Sequence, residues 1–228
     1  MQQAEAPDPA GALRIEAGTL AETTLPDGGY EPGYRACPCF WGHQPASLVR
    51  TFLASNPDLS GKLILDAGCG EGKNAAALAQ AGASVDALDV SPLALEHART
   101  AWPALTAIHW RLADITHPSV INEQYDVVVA YGLLHCLSSP STIQRTVANL
   151  RSHTARNGYQ IVCAFNDRSQ DLRAHPHFTP TLLSHDEYLR LYDGWVLLQA
   201  TDSDLHEEHP DTRIPHHHSM TRILARRQ

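Results

Sequence analysis

The segment Asp66-Ala67-Gly68-Cys69-Gly70-Glu71-Gly72 lies between a short apolar run and an alanine-rich stretch. Glycines at alternate positions let a backbone turn sharply and let a ligand approach with no Cβ in the way. Asp66 ends the apolar run, where a carboxylate suits a ligand that carries an amino group. Asp89 ends a second run, 23 residues further on, and Asp114 ends a third. A carboxylate at such an edge can accept both hydroxyl hydrogens of a ribose, and Asp114 or its adjacent backbone could read an adenine amino group. Taken singly, each acid reads equally as a solvated loop residue or a helix cap. Together they form a constellation for a nucleoside ligand. A dinucleotide fingerprint, G-x-G-x-x-G counted from Gly68, would require glycine at position 73. The chain has Lys73 there and its third glycine at Gly72.

Fourteen histidines are a second concentration of chemistry. His206, His209, His216, His217 and His218 crowd the C-terminal part, His175, His177 and His185 precede them, and His135 stands alone. Three readings compete: exposed loop imidazoles, acid–base catalysis near neutral pH, and a metal site with Glu207, Glu208 and Asp211. The H-x-x-H and HHH spacings match no established site, so no metal is assigned. His135 and His206 are the preferred base candidates, because strand ends are better fixed than loop tips, with His218 third. Tyr34, Phe40 and Trp41 read either as a hydrophobic staple or as an aromatic lid, and Arg35 is a candidate partner for a ligand carboxylate. Cys37-Pro38-Cys39 is not the C-x-x-C of a redox site and reads as structural.

These residues act together only if secondary structure brings them to one edge. Apolar runs at 62–68, 84–90, 107–114, 125–132 and 159–165 read as buried parallel strands. Helices are expected over 71–82, after Ser91-Pro92 with its cap and first-turn proline, and over about 140–152, with another over about 46–54. Residues 167–183 read as a long polar connection, Ser184–Glu187 as a capping box, and 195–206 with 219–227 as a closing hairpin around the loop 207–218. Repeated β-α units imply a parallel sheet with right-handed crossovers. In such a sheet the closing loop lies at the edge where the parallel strands end. That places the C-terminal histidines, His135, and Phe165-Asn166 at the end of the fifth strand, around the glycine loop.

Length and composition bound the rest. At 228 residues with 43% hydrophobic content, the chain fits one domain (31–228) behind a flexible arm (1–30). The formal charge of −8 argues against a nucleic-acid surface. No apolar run approaches the roughly 20 residues of a membrane helix. Five cysteines without framework spacing, and no secretory leader, are expected of a cytoplasmic protein. The oligomeric state is not legible.

The motifs LDAGCGEG, ALDVS, LADI and YDVVVAYGLLHCL resemble, in order, those of the class I S-adenosylmethionine (SAM)-dependent methyltransferases, over roughly residues 45–228. LDAGCGEGKN and the C-terminal YLRLYDGWVLLQATDSDLH…TRILARR look like the tellurite-resistance (TehB-like) branch. The resemblance implies a Rossmann-like, seven-stranded, mostly parallel sheet with an antiparallel C-terminal hairpin and helices on both faces. It implies that Asp66, Gly68 and Gly70 cradle the methionine moiety. Asp89 with Val90 would hold ribose and adenine, Asp114 with Ile115 the base, and Ala130 with Tyr131 the pocket floor. Trp41 would lie over the sulfonium, and Tyr34, Arg35, Phe165, Asn166 and His216 would meet the substrate. Tellurite enzymes carry His-Arg where this chain has His206-Glu207, which leaves an oxyanion acceptor without that cation. The activity implied is methyl transfer to a small O, N or S/chalcogen nucleophile, with His135, His206 or His218 as base or orienting group. Two rivals stand beside it. A nicotinamide oxidoreductase should show glycine at 73 and a Tyr-x-x-x-Lys pair, and the chain has neither. A non-catalytic SAM- or metal-binding sensor would use the same histidine rim.

Overall fold

A computed structural model describes residues 29–176 and 178–228. The arm expected over 1–30 lies almost wholly outside the described residues, as does His177. Seven strands form one sheet: β1 (Leu63–Ala67), β2 (Ser84–Asp89), β3 (Ile108–Leu112), β4 (Tyr125–Tyr131), β5 (Thr154–Gln170), β6 (Val196–Glu207) and β7 (His216–Arg226). Their order is β3-β2-β1-β4-β5-β7-β6. The first five run parallel, and β7 is antiparallel to both β5 and β6.

Burial on both faces explains the near-continuous apolar runs. Alternation sends Ile64, Val127, Val129, Ile161 and Leu224 to one face. Leu65, Val128, Ala130, Val162 and Ile223 go to the other. The first face is covered by Leu48, Val49 and Phe52 of α2 (Ser47–Ser55), by Ala75, Ala76 and Leu78 of α3 (Lys73–Gln80), and by Leu95 of α4 (Pro92–Ala101). The second is covered by Ile143, Val147 and Leu150 of α5 (Pro140–Ser152) and by Tyr188 of α6 (His185–Arg190). Leu150 is fully buried and lies outside the ligand cavity described below. Leu150→Ala is expected to cost about 2–5 kcal/mol in urea unfolding. A loss well under 1 kcal/mol would show that the α5 layer repacks freely.

Three boundaries differ from the sequence reading. α3 starts at Lys73 because Gly72, at φ 79°, turns the chain into it. Residues 31–36 form a helix, α1 (Glu31–Ala36), tied to the cap of α4 by Ser91 Oγ donating to Glu31 Oε2 at 2.6 Å. The hairpin is longer than expected. β5 continues past Phe165 to pair Gln170 with His218, and β6 and β7 pair Glu207 with His216. The closing loop shrinks to residues 208–215, and the connection after β5 begins only at 171. Polar strand ends carry no hydrophobic signature, so the sequence reading cut them short. No helix among the described residues is long and apolar enough to cross a membrane.

Candidate active site

A cavity of about 580 Å³ opens at the C-terminal ends of the parallel strands. Here the strand order reverses between β1 and β4, the place where open α/β sheets bind ligands. Gly68, Cys69 and Gly70 form one wall. The amides of Gly68 and Cys69 donate to the Leu88 carbonyl at 2.8 and 2.9 Å, locking the loop onto β2. Gly70 N–H donates to Asp89 Oδ2 at 2.7 Å. At φ 52° the Gly70 backbone is in the left-handed region that favours glycine, and a Cβ there would crowd the Tyr34 hydroxyl at 3.0 Å.

Asp89 lies on the cavity wall, and its Oδ1 accepts the Ser91 amide at 2.9 Å. Burial pushes its carboxyl above the usual range, against the pull of those amide bonds. Val90, Asp114 and Ile115 continue the wall. Asp114 Oδ1 accepts the Thr116 amide at 2.8 Å, and its Oδ2 lies 4.0 Å from His117 Nε2.

Asp66 is placed differently from the expectation. It is buried and not a lining residue. It accepts the Ala75 backbone N–H and burial raises its pKa to about 7. Since Gly72 offers α3 no side-chain cap, Asp66 supplies that acceptor. Its Oδ2 has no hydrogen-bond partner among the described residues, and a buried polar atom in that state calls for a donor.

The aromatic segment both packs and lines. Phe40 is buried and stacks on His209, with centroids 4.9 Å apart. Tyr34 and Trp41 face the cavity, and Trp41 Nε1 donates to Tyr34 Oη at 3.2 Å. Arg35 is exposed and pairs only loosely with Glu31, at 3.8 Å. It does not reach the cavity, because it lies on the outer side of α1. Lys73 does line it, held by the Trp41 carbonyl at 3.0 Å.

On the opposite wall, His135 is buried between aromatic rings, its centroid 3.9 Å from Phe165 in a parallel stack. Its Nδ1 accepts the Phe165 backbone N–H at 3.2 Å. An amide can only donate, so that nitrogen carries no proton. Burial and the neighbouring His218 and His175 push its pKa down to about 3, so the neutral ring keeps its single proton on Nε2, 3.4 Å from Tyr30 Oη. A ring in this state donates to an acceptor; it has no free lone pair with which to take a proton.

Of the remaining expected residues, Tyr131 and Phe165 line the cavity. Ala130 points into the core, because neighbouring strand residues face opposite sides. Asn166 is buried in structure, donating to Asp202 at 2.9 Å and Thr221 at 3.2 Å. His206 is exposed and faces His217 across the hairpin, on the side away from the cavity. It fails as a base candidate on position alone. The sequence reading passed over Tyr30, Lys73, Arg145, Leu205 and Met220, which all line the cavity, as does Glu207, weighed there only as a metal ligand. Strand alternation was the available signal for the β6 pair, since Leu205 and Glu207 share the face opposite His206.

The extended hairpin also collects the histidines. His216 and His218 are fully buried, on the same face as Glu207. His175, from the connection after β5, and His209, from the closing loop, meet them there. Burial and mutual repulsion push His218 down to about 3 and His209 to about 4. Phe165 lies between this cluster and the cavity wall, stacked on His135 on one side and on His218, at 4.1 Å, on the other.

This sheet order, with a glycine loop and acids at the strand ends, is the Rossmann-like arrangement of methyltransferase domains. A family model described as a methyltransferase domain matches residues 64–158. The chain is 34% identical over 173 residues to the ubiquinone biosynthesis O-methyltransferase of Vibrio vulnificus, covering 70% of this chain and 72% of that one. It is 31% identical over 144 residues to hemagglutinin 1 of Eikenella corrodens, covering 61% of this chain and 45% of that one, so it spans under half of that relative's length. TehB from Haemophilus influenzae shares the fold, with a TM-score of 0.67 at 20% identity over 79% of this chain and 61% of that one. The chain belongs to the class I SAM-dependent methyltransferases, the family whose methyl donor is S-adenosylmethionine.

Proposed function

We propose that this protein transfers a methyl group from SAM to a small, largely apolar acceptor carrying a hydroxyl, thiol or amine. The observation that carries this reading is the pairing of Asp89 with the Gly68–Gly70 backbone on one wall of a cavity whose opposite wall is aromatic and apolar. SAM supplies an electrophilic methyl carbon on a sulfonium. Asp89 offers the ribose diol the lone pairs that Gly70 and Ser91 leave free. Val90, Asp114 and Ile115 bracket the adenine, and Lys73 beside the glycine loop faces the carboxylate. The partnerless Oδ2 of Asp66 fits the amino group. The indole of Trp41 on the wall favours a cation by about 0.5–2 kcal/mol.

The acceptor half is lined by Tyr30, His135, Phe165, Leu205, Glu207 and Met220. A displacement at carbon needs its partners close and collinear, and holding them so can supply several kcal/mol. His135 Nε2–H and the Tyr30 hydroxyl orient the acceptor. The O-methyltransferase name of the V. vulnificus relative favours a hydroxyl acceptor.

Titration calorimetry with S-adenosylhomocysteine, then its release with panels of phenols, thiols and amines, tests the reading. Absence of binding overturns it. Binding without turnover on every acceptor class would favour the sensor instead. His206→Ala is expected to leave turnover within about twofold, and His135→Ala to lower kcat about tenfold or more, as misplaced acceptors do. If His135 orients rather than deprotonates, His135→Ala should lower kcat by the same factor at every pH from about 5 to 9, without removing a limb from the wild-type profile. Loss of such a limb would restore the base role.

A further inference from the structure

We infer that Nε2 of His175, His216 and His218, with Oε1 of Glu207, form a binding site for one divalent transition-metal ion beside the acceptor half of the cavity. The four donor atoms lie within 4.8 Å of one another. Glu207 Oε1 is 3.7 Å from His216 Nε2 and 3.6 Å from His218 Nε2. His175 Nε2 is 3.3 Å from His216 Nε2. Ligands about 2.0–2.1 Å from a tetrahedral ion stand roughly 3.3 Å apart. The carboxylate-to-imidazole separations are too long for hydrogen bonds but suit atoms that share an ion. His209 Nε2, 3.2 Å from His175 Nε2 and 3.8 Å from Glu207, stands next to the set as a fifth donor.

Proton bookkeeping points the same way. His216 Nδ1 donates to the Ile214 carbonyl at 2.7 Å. His218 Nδ1 donates to Gln170 Oε1 at 2.8 Å. That amide is fixed, because Gln170 Nε2 donates to the carbonyls of Asn166 and Ser219 at 2.7 and 2.9 Å. With Nδ1–H engaged in this way, the neutral form of each ring turns a bare Nε2 lone pair inward, toward a carboxylate. His218 Nε2 is buried and has no hydrogen-bond partner among the described residues. Lone pairs converging on one point are mutually repulsive unless a proton or a metal cation sits between them, and a proton shared by His175 and His216 at 3.3 Å leaves His218 Nε2 unserved. An imidazole whose outer N–H is held by a carbonyl is also the usual support of a metal-bound histidine.

The donor set selects the ion class. Three imidazoles and a carboxylate suit zinc, iron(II), cobalt(II) or nickel(II); magnesium and calcium prefer all-oxygen sets, and copper(I) prefers sulfur. β6 and β7 supply the frame. Glu207 and His216 are cross-strand partners, and His216 and His218 are two apart on one face of β7. Glu207 also lines the cavity, so the ion has a route in, and an acceptor heteroatom can approach it.

The test is metal binding to the full chain, whether or not SAM chemistry is found. Chelated and desalted protein is titrated with zinc and with cobalt, and bound metal is counted after dialysis. One equivalent is expected, with a cobalt spectrum of nitrogen and oxygen ligation and a melting temperature that rises with metal. Glu207→Gln and His218→Asn are expected to weaken zinc binding at least 100-fold. Gln170→Ala, which removes only a support, should weaken it about 10- to 100-fold. S-adenosylhomocysteine binding, measured on the same variants, reports the fold and the neighbouring pocket separately. No stoichiometric binding of zinc, cobalt, nickel, iron(II) or manganese overturns the site. So does one equivalent that all three variants retain, or a metal-free cluster whose imidazole nitrogen shifts show one shared proton and no change on metal addition.

Discussion

Asp89→Ala is expected to raise the dissociation constant for S-adenosylhomocysteine about 100-fold or more in titration calorimetry. Two hydrogen bonds from a ribose diol to a carboxylate are worth roughly 1.5–3 kcal/mol each, and about 1.4 kcal/mol is a factor of ten. The alanine also removes the acceptor for Gly70 N–H at 2.7 Å and for Ser91 N–H at 2.9 Å. The glycine loop would then lose a restraint on the backbone that faces the ligand, so the loss should exceed that of the two ribose bonds. Asp89→Asn keeps an acceptor for one amide and loses the charge, and should fall between alanine and wild type. Unchanged affinity in the alanine variant would place the adenosyl group elsewhere and remove the basis for the proposed chemistry.

Asp66→Asn is expected to stabilise the fold above neutral pH while weakening ligand binding. The group is buried, and burial raises its pKa from 3.8 to about 7, against the Ala75 N–H and with a further push from Asp89. The folded state therefore keeps a proton that the unfolded chain gives up between about pH 4 and 7. This stabilising contribution is full below about pH 4 and is lost as pH rises to about 7. The loss is on the order of 4 kcal/mol at most, at about 1.4 kcal/mol per pH unit. Asparagine has no charge to bury and can still accept from Ala75, so the variant should match wild type near pH 4 and exceed it at pH 8. Urea unfolding at both values reads the difference, which cancels the titration of other groups. An amino group at Oδ2 favours the carboxylate, so wild-type affinity for S-adenosylhomocysteine should rise with pH through about 7. The asparagine variant should bind more weakly and lose that slope. Equal stabilities at pH 8 would mean that Asp66 ionises without cost, and a stabilised variant with unchanged affinity would remove it from the ligand site.

The parallel sheet, the antiparallel closing hairpin and the glycine loop with its strand-end acids were legible in the residues alone. Those features are written locally. Strands buried on both faces read as apolar runs, a left-handed turn reads as glycine, and an acid at each strand end reads as Asp66, Asp89 and Asp114. Even there, tertiary packing gave Asp66 a second task, the cap of α3, and turned Ala130 into the core.

The wall carrying Tyr30, Leu205 and Met220 and the histidine cluster arise from long-range pairing. Residues 207 and 216–218 are polar, so nothing in the local pattern extends the hairpin through them; their strand form depends on pairing with each other and with β5. Once they pair, the pleat turns His216, His218 and Glu207 inward and His206 and His217 outward. A side chain's direction reverses with each residue along a strand, so a misplaced strand end was enough to promote His206 and to leave Glu207 off the cavity wall. His175 and Tyr30 reach the same place from distant parts of the chain, and no spacing along the sequence records that meeting.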